Sequence, residues 1–414
     1  MTFRDTSERV RAALIGKPLG HSYSKLIHEK FGYGYDLVET DERDLEKLLR
    51  SGEYTGFNVT VPYKKTVIPL LDELDPSAAE VGSVNTIKAR KRRLIGYNTD
   101  VYGMEKMLAH AGINLYGRTV MILGTGGTSL TATKVSRRGG AKDVIVVGRN
   151  SPVNYENCYL RKGVNVIINA TPVGMFPSDE ESPIRVEDFK ELEGVADAIY
   201  NPLRTKLVRN ALAEGVRATG GLKMLVEQAV RAAEIFTDGF ISDGVADKIY
   251  REIRSASCGV AFIGMPGSGK TTLGKAAAKL LKKKFIDTDE EIEKRCGKSI
   301  PEIFGQDGEE YFRKVESEVI ADAAKERNAV VATGGGAVLR EENRYMLRKN
   351  SVIINVERKL ENLERDGRPL SSSEEKLAAM YRERYPIYRD LGDFCIENDG
   401  SVKQAEEKIK EILA

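Results

Sequence analysis

The sequence predicts an α/β chain from end to end, and three observations carry that prediction. Short apolar runs alternate with amphipathic segments from Arg11 onward, the rhythm of strands and helices packed in layers. One apolar run enters VMILGTGGTS at 120–129, and another enters GMPGSGKTT at 264–272. Glycines at such strand-to-helix junctions let backbone N–H groups approach a phosphate while the helix N-terminus faces it. At 414 residues the chain is too long for one ordinary core. The expected architecture is therefore an α/β substrate domain (1–101 with 225–253), a Rossmann-like dinucleotide-binding domain (102–224), a linker (254–258) and a P-loop α/β domain with a parallel sheet (259–414).

A formal net charge of +2 and the lack of a long basic tract give no push towards nucleic acid or a membrane surface. The opening MTFRDTSERVR has no apolar core of a signal peptide, and no apolar run approaches the ~20 residues of a membrane span, so a cytoplasmic protein is expected. Cys158, Cys258, Cys296 and Cys395 lie far apart without C-x-x-C spacing, which favours buried free thiols over a zinc site or a disulfide framework. His21, His28 and His110 are too scattered for a metal cluster.

Taken in order, the first ~100 residues read as a strand at 11–15, a helix at 24–31, a strand at 35–38, a helix at 45–49 and a strand at 56–61. Polar clusters interrupt them: GHSYSK (20–25), NVTVPYK (58–64), SVNT (83–86) and GYNTD (96–100). Singly, Ser24 reads as a helix cap and Lys64 as a solvated loop lysine. Together, loops that present Asn, Thr, Lys and Asp where strands emerge form the kind of crevice that binds a small polyhydroxylated ligand.

The junction at 120–129 is G-x-G-x-x-S, with a helix at 130–138 and a strand at 143–150 behind it. About 20 residues past the glycines stands Arg149, where an acid would bind the ribose 2′-OH of NAD; arginine suits the 2′-phosphate of NADP. Further strands are expected at 166–175 and 197–202, and amphipathic helices at 222–236 and 245–253 return to the first sub-domain. In GMPGSGKTT, Gly264, Gly267 and Gly269 open the loop, Lys270 reaches the β/γ-phosphates and Thr271 offers a hydroxyl to Mg²⁺. The rhythm continues through strands at 285–289, 329–336, 352–357 and 393–398, so a parallel sheet is expected. Thr288 and Glu291 have capping-box spacing, which leaves Asp289 open as a first-turn residue or as a functional one.

The set GHSYS, NVTVPYK, SVNT, NTD, GTGGTS, GRN, NATPVGM, IYNP and GLKMLVEQA, in that order across 10–253, resembles the shikimate dehydrogenase family. The set GMPGSGKTT, FIDTD, YFRKVE, ATGGG, GRPL and RYPIY across 259–414 resembles the shikimate kinase family. The resemblance implies a bifunctional fusion that reduces 3-dehydroshikimate with NADPH and then phosphorylates shikimate with ATP and Mg²⁺. It implies that Ser22, Ser24, Thr60, Lys64, Asn85, Asp100, Tyr200 and Gln228 surround the first substrate, with Lys64 and Asp100 catalytic. NADP would lie on Gly124, Gly126, Gly127, Thr128, Ser129, Arg149 and Gly221.

In the second half the resemblance makes Asp289 the residue that holds the shikimate hydroxyl, and Arg313 and Arg384 a clamp on its carboxylate, with Gly334, Gly335 and Gly336 against the ring. ATP would meet Gly264, Gly267, Ser268, Gly269, Lys270, Thr271, Thr272, Arg365 and Arg368, with Arg368 on a lid. Thr271 and Asp287 would serve the metal. Lys25 stands where the dehydrogenase motif usually has proline, the segment 150–165 is short enough to lack a helix beside the adenosine, and the lid at 364–368 is short too. The expected partners are small molecules, with a homodimer as the open question of assembly. A ligand sensor that kept both folds without turnover is the competing reading, and use of NAD or quinate in the first domain is a third.

Overall fold

The computed structural model describes residues 10–19, 23–90, 93–176, 178–326, 328–363 and 374–413. Ser22, Arg365 and Arg368 therefore lie outside the described residues. The chain divides into two compact units, Met1–Ile253 and Arg254–Ala414.

The first unit opens with β1 (Arg11–Gly16), α1 (Tyr23–Glu29), β2 (Gly34–Glu39), α2 (Leu45–Leu49), β3 (Gly56–Val59), β4 (Glu73–Leu74), α3 (Pro76–Ala79), β5 (Thr86–Arg90) and β6 (Arg93–Tyr97). They make a six-stranded sheet of order β2-β1-β3-β5-β6-β4, parallel around β1 and antiparallel at β3–β5 and β5–β6. The β3–β5 register sets Asn58 opposite Thr86, so two of the polar motifs of the sequence become cross-strand neighbours.

Next come α4 (Asp100–His110), β7 (Thr119–Leu123), α5 (Gly127–Arg138), β8 (Asp143–Val147), β9 (Val164–Asn169), β10 (Gly194–Asp197), α6 (Lys206–Ala213) and β11 (Arg217–Thr219). The five strands are all parallel, in the order β11-β10-β9-β7-β8. Parallel strands need helices on both faces, and β7 is accordingly apolar from Val120 to Leu123 and β9 from Val166 to Ile168. Between β8 and β9 there is only a 3-10 turn, Cys158–Leu160, so the α-helix that the short segment was expected to lack is indeed absent and β8 ends the sheet.

The strand expected at 197–202 is displaced: it is Gly194–Asp197, and the following residues turn. The cause is Asp197, whose buried carboxylate accepts from Ile199 N–H at 3.0 Å, Asn169 Nδ2 at 3.1 Å and the Thr205 hydroxyl at 2.6 Å, which bends the chain back on itself.

Helix α7 (Leu222–Thr237) lays its apolar face on the first sheet, where Leu222, Val226, Ala229 and Phe236 share a core with Ala12, Leu14 and Ile27. Gly56 permits this contact, because a Cβ there would sit 2.4 Å from the Phe236 ring. Helix α8 (Asp243–Ser257) completes that core through Ala246, Ile249 and Ile253 and continues to Ser257.

The second unit contains β12 (Gly259–Ile263), α9 (Lys270–Leu281), β13 (Lys284–Asp287), α10 (Thr288–Cys296), α11 (Ile300–Gln306), α12 (Glu309–Lys325), β14 (Ala329–Ala332), α13 (Glu341–Asn350), β15 (Ser351–Glu357), α14 (Glu374–Leu391), β16 (Phe394–Glu397) and α15 (Val402–Leu413). The sheet is wholly parallel, in the order β13-β14-β12-β15-β16, which puts β12 at its centre with all five of its residues buried. Phe262 on β12 is fully buried, so truncating it to alanine would cost about 3–5 kcal/mol.

Cys158 and Cys258 are buried and outside any disulfide, as expected, but Cys296 is half-buried and Cys395 is exposed, because β16 is the sheet's edge strand. No helix among the described residues is long and apolar enough to cross a membrane.

Candidate active sites

The first site forms where β3, β5 and α4 meet. Lys64 follows the turn after β3, and Asp100 is the first residue of α4, where the helix dipole favours a carboxylate. Lys64 Nζ donates to Asp100 Oδ2 at 2.5 Å, and both side chains are largely withdrawn from water. Asn85 Nδ2 donates to the other oxygen, Oδ1, at 2.8 Å and to Thr99 Oγ1 at 3.0 Å. Gln228 on α7 brings Oε1 to 3.4 Å from Thr99 Oγ1 and 3.5 Å from Asn85 Nδ2.

Thr60 begins the turn that carries Lys64, its N–H bonded to Ile15 O at 2.9 Å. Ser24 is buried on α1, and Tyr200 packs its half-buried ring 5.5 Å from that of Tyr23. The structure thus brings Lys64, Asn85, Asp100 and Gln228 into one hydrogen-bonded cluster. Thr99, which the sequence did not single out, is its hub; its place at the N-cap of α4, beside Asp100, was the available signal.

The glycine-rich junction after β7 faces this cluster: a Cβ on Gly127 would lie 3.6 Å from Ser83 Oγ and 3.9 Å from Lys64 Cδ. Gly124 has φ +106°, and a Cβ there would meet Thr171 at 2.9 Å and the Ala170 carbonyl at 3.1 Å, so the turn needs glycine. Gly126 caps α5 with no side-chain bond, which leaves the first N–H groups, at Gly127 and Thr128, to an anion, while the N–H of the buried Ser129 bonds Gly126 O at 3.1 Å. Arg149 is exposed just past β8. Gly221 has a packing reason of its own, since a Cβ would sit 2.1 Å from Ala198 O.

In the second unit, Gly264, Gly267 and Gly269 have φ of +140°, +80° and +96°. Successive N–H groups in a glycine-rich turn of this kind form a concavity suited to an anion, here just ahead of α9. Lys270, buried at the start of α9, donates to Gly264 O at 2.9 Å and Met265 O at 2.8 Å. Ser268 Oγ is buried with no hydrogen-bond partner among the described residues, while Thr272 is exposed in the first turn of α9. The Thr271 hydroxyl donates to Asp287 Oδ2 at 2.7 Å, so a hydroxyl and a carboxylate share one point beside the loop. Such a pair of oxygen donors fits a hard divalent cation.

Asp287 also caps α10 through Oδ1, accepting from Asp289 N–H at 3.0 Å. The Thr288–Glu291 capping box is therefore not formed; the Thr288 hydroxyl instead accepts from Gly334 N–H at 2.9 Å.

The glycine run after β14 lies against the acidic and basic groups of the cleft. A Cβ on Gly334 would be 2.6 Å from Asp289 Oδ1 and 3.0 Å from Glu316 Oε1, and one on Gly336 would be 2.2 Å from Arg313. Gly335 passes its carbonyl to the Tyr388 hydroxyl at 2.5 Å. Burial pushes that phenol up to about 12, so it stays a donor. Arg313 is held by Glu316 at 2.8 Å and Glu309 at 3.1 Å. Burial raises the Glu316 carboxyl above its ordinary range, although Arg313 works the other way. Arg384 is buried, and its Nε has no hydrogen-bond partner among the described residues. An orphaned guanidinium donor beside Arg313 fits a carboxylate ligand.

Glu316, Tyr388, Arg358 and Asn398 were not legible as site residues. Glu316 and Tyr388 stand three and four positions past Arg313 and Arg384, a helix-face signal that could have found them. Arg358 and Asn398 bind the Gly267 and Ser268 carbonyls at 3.3 Å and 2.7 Å from the ends of β15 and β16, which no local spacing announces.

Fold and sites together define a two-centred enzyme, a nicotinamide-nucleotide oxidoreductase followed by a P-loop phosphotransferase. The model of the shikimate dehydrogenase substrate binding domain matches residues 14–87, and that of shikimate kinase matches residues 266–414. The NADP(+) shikimate dehydrogenase of Clostridium perfringens strain 13 is 33% identical over 263 residues, 58% of this chain and 97% of the relative. That of Caldicellulosiruptor saccharolyticus is 35% identical over 257 residues, 54% and 91% of the two chains. Among solved structures, a chorismate mutase/shikimate 5-dehydrogenase fusion from Clostridium acetobutylicum is 34% identical with a TM-score of 0.57, covering 59% of this chain and 97% of that one. The shikimate 5-dehydrogenase of Thermus thermophilus, in complex with NADP(H) and shikimate, is 29% identical with a TM-score of 0.53, covering 59% and 99%. The chain belongs to the shikimate dehydrogenase family and carries a shikimate kinase domain behind it, which makes it a bifunctional shikimate-pathway enzyme.

Proposed function

We propose that the first unit reduces 3-dehydroshikimate to shikimate with NADPH, and that the second phosphorylates the new 3-hydroxyl with ATP and Mg²⁺. Within the first unit, residues 1–101 and 225–253 hold the substrate and 102–224 the cofactor. The observation that carries the reading is the Lys64–Asp100 pair at 2.5 Å beneath the glycine-rich junction. When bound, NADPH supplies a hydride to the ketone carbon and MgATP supplies the γ-phosphoryl group.

The chain's own groups do the rest. As the carbonyl becomes an alkoxide-like oxygen, the Lys64 ammonium gives it a proton and is later recharged from solvent. Asp100 fixes the ammonium and a substrate hydroxyl, while Asn85 and Gln228 take further hydroxyls and Ser22, Ser24, Thr60 and Tyr200 close round the ring. Gly124, Gly126, Gly127, Thr128 and Ser129 hold the pyrophosphate, Arg149 the 2′-phosphate, and Gly221 the nicotinamide side.

In the second unit Asp289 orients the 3-hydroxyl and accepts its proton, and Arg313 and Arg384 clamp the carboxylate. Gly334, Gly335 and Gly336 keep the wall flat enough for the ring. The loop from Gly264 to Thr272, with Lys270 foremost, binds the phosphates, and Thr271 and Asp287 serve the metal. Arg365 and Arg368 complete the ATP site. The oxygen made in the first reaction is the nucleophile of the second, and both cosubstrates are cytoplasmic, which supports a cytoplasmic place of work.

Lys64→Ala should abolish reduction, by about 10²–10⁴-fold, and leave phosphorylation of added shikimate intact. Lys270→Ala should do the reverse. If either variant lost both activities, the two centres would not be the independent sites proposed.

A further inference from the structure

The reducing centre is approached from behind by a line of buried polar side chains that the proposed roles do not use. The Tyr35 hydroxyl donates to Asn58 Oδ1 at 2.8 Å, and Asn58 Nδ2 donates to Thr86 Oγ1 at 3.1 Å. Thr86 Oγ1 in turn donates to Asn85 Oδ1 at 3.1 Å, and Asn85 Nδ2 donates to Asp100 Oδ1 at 2.8 Å. Tyr35, Asn58 and Thr86 are all buried, with Thr86 fully so.

Proton positions fix the sense of this line. A threonine hydroxyl has one proton; Thr86 Oγ1, which accepts from Asn58, turns it to Asn85 Oδ1 at 3.1 Å, the shorter of its two remaining contacts, the other being Thr99 Oγ1 at 3.3 Å. Every bond therefore points the same way, from Tyr35 to Asp100. The far end is anchored as well, since the Tyr35 ring stacks on the buried His28 with centroids 4.1 Å apart and planes 4° apart.

Asn85 is where direction matters. Its carbonyl accepts from Thr86 Oγ1 and from Thr99 N–H at 2.8 Å, which holds the NH₂ towards Asp100 and Thr99. Rotated by half a turn, the amide would set its oxygen against the Asp100 carboxylate and its NH₂ against the Thr99 N–H. Bonds aligned in a low-dielectric interior also polarise one another.

Resting on the catalytic reading of Lys64 and Asp100, we propose that Tyr35, Asn58 and Thr86 are positioning residues for the reduction: a one-way hydrogen-bond relay that locks the Asn85 amide and, through it, the Asp100 carboxylate.

The test is Thr86→Val, which keeps the shape and removes the hydroxyl, beside Thr86→Ser, which restores it. Rates are expressed per NADPH-binding site, so that loss of folded protein does not count. The valine variant should show a kcat for 3-dehydroshikimate reduction about fivefold lower, the order expected for one hydrogen bond. Its KM for NADPH should not change, and serine should restore kcat to within twofold.

A valine variant with wild-type kcat, or valine and serine variants equally slow, would overturn the relay. Should Thr86→Val fail to bind NADPH, Tyr35→Phe replaces it: a kcat two- to threefold lower supports the relay, and an unchanged kcat overturns it. Asp100→Asn serves as the control. If that variant kept its activity, the catalytic reading itself would fall, whatever Thr86 did.

Discussion

Gly336 is the position where one methyl group should disable one activity and spare the other. It sits at φ −91° and ψ −6°, so alanine brings no backbone strain. The added carbon would stand 2.2 Å and 2.5 Å from the two terminal nitrogens of Arg313 and 2.6 Å from its central carbon. Ordinary contact begins near 3.4 Å, so the guanidinium must retreat by about 1.2 Å. An exposed arginine would swing aside cheaply. Arg313 is only 7% exposed and is tied to Glu316 at 2.8 Å and Glu309 at 3.1 Å, so retreat breaks the clamp's geometry. Misplacing a binding group by ~1 Å costs on the order of 10²-fold. In an assay that couples ADP release to a dye or nucleotide signal, Gly336→Ala should lower kcat/KM for shikimate by about that factor, chiefly through KM. The KM for ATP and the rate of 3-dehydroshikimate reduction should stay as they are. A kcat/KM for shikimate within twofold of the wild type would refute the placement of Arg313 at the carboxylate.

Arg149→Ala should raise the KM for NADPH about fivefold, as befits the loss of ~1 kcal/mol from an exposed ionic contact, and leave the KM for NADH unchanged; an equal change for both cofactors would remove Arg149 from the 2′-phosphate. Asp197 is buried, which raises its carboxyl to about 6 from an ordinary value of 3.8 despite three hydrogen bonds. The folded state therefore holds the proton more tightly, so this group's stabilisation is complete below pH 3.8 and is lost as pH rises through about 6. Asp197→Asn has no such loss and should gain on the wild type by about 1.4 kcal/mol per pH unit between pH 4 and 6, as read from urea unfolding; parallel stability curves would contradict the buried charge.

Much of this was legible in the chain because the physics is local. A phosphate loop needs positive φ at fixed offsets, and only glycine adopts it freely, so Gly264, Gly267 and Gly269 announce it. The alternation of apolar runs likewise marks β1, β2, β3, β7, β8, β9 and the strands of the second unit, but not β4, β5, β6 or β11. It also puts a strand over DAIYNP, whereas the strand runs Gly194–Asp197 and ends at the Asp197 of that motif. There the turn is made by the Asp197 carboxylate, a contact with Thr205 that alternation does not record.

What stayed hidden depends on strand order and on side-chain direction. Arg358 and Asn398 reach the phosphate loop because β15 and β16 lie on the same side of β12 in the sheet, and nothing in their neighbours' spacing says so. Asp287 rather than Thr288 caps the helix, its Oδ1 accepting from Asp289 N–H while its Oδ2 accepts from Thr271 on α9, a contact between elements that local spacing does not record. Asn58 and Thr86 were visible as motif residues, but their pairing across β3 and β5 appears only in the register.

In the proposed function one chain makes a hydroxyl at its first centre and phosphorylates that same hydroxyl at its second. Incubating the protein with 3-dehydroshikimate, NADPH, ATP and Mg²⁺ and following the products by NMR tests it directly. Shikimate is expected as the intermediate and shikimate 3-phosphate as the end product. Shikimate that accumulates without its phosphate would contradict the second centre, and unconsumed 3-dehydroshikimate would contradict the first.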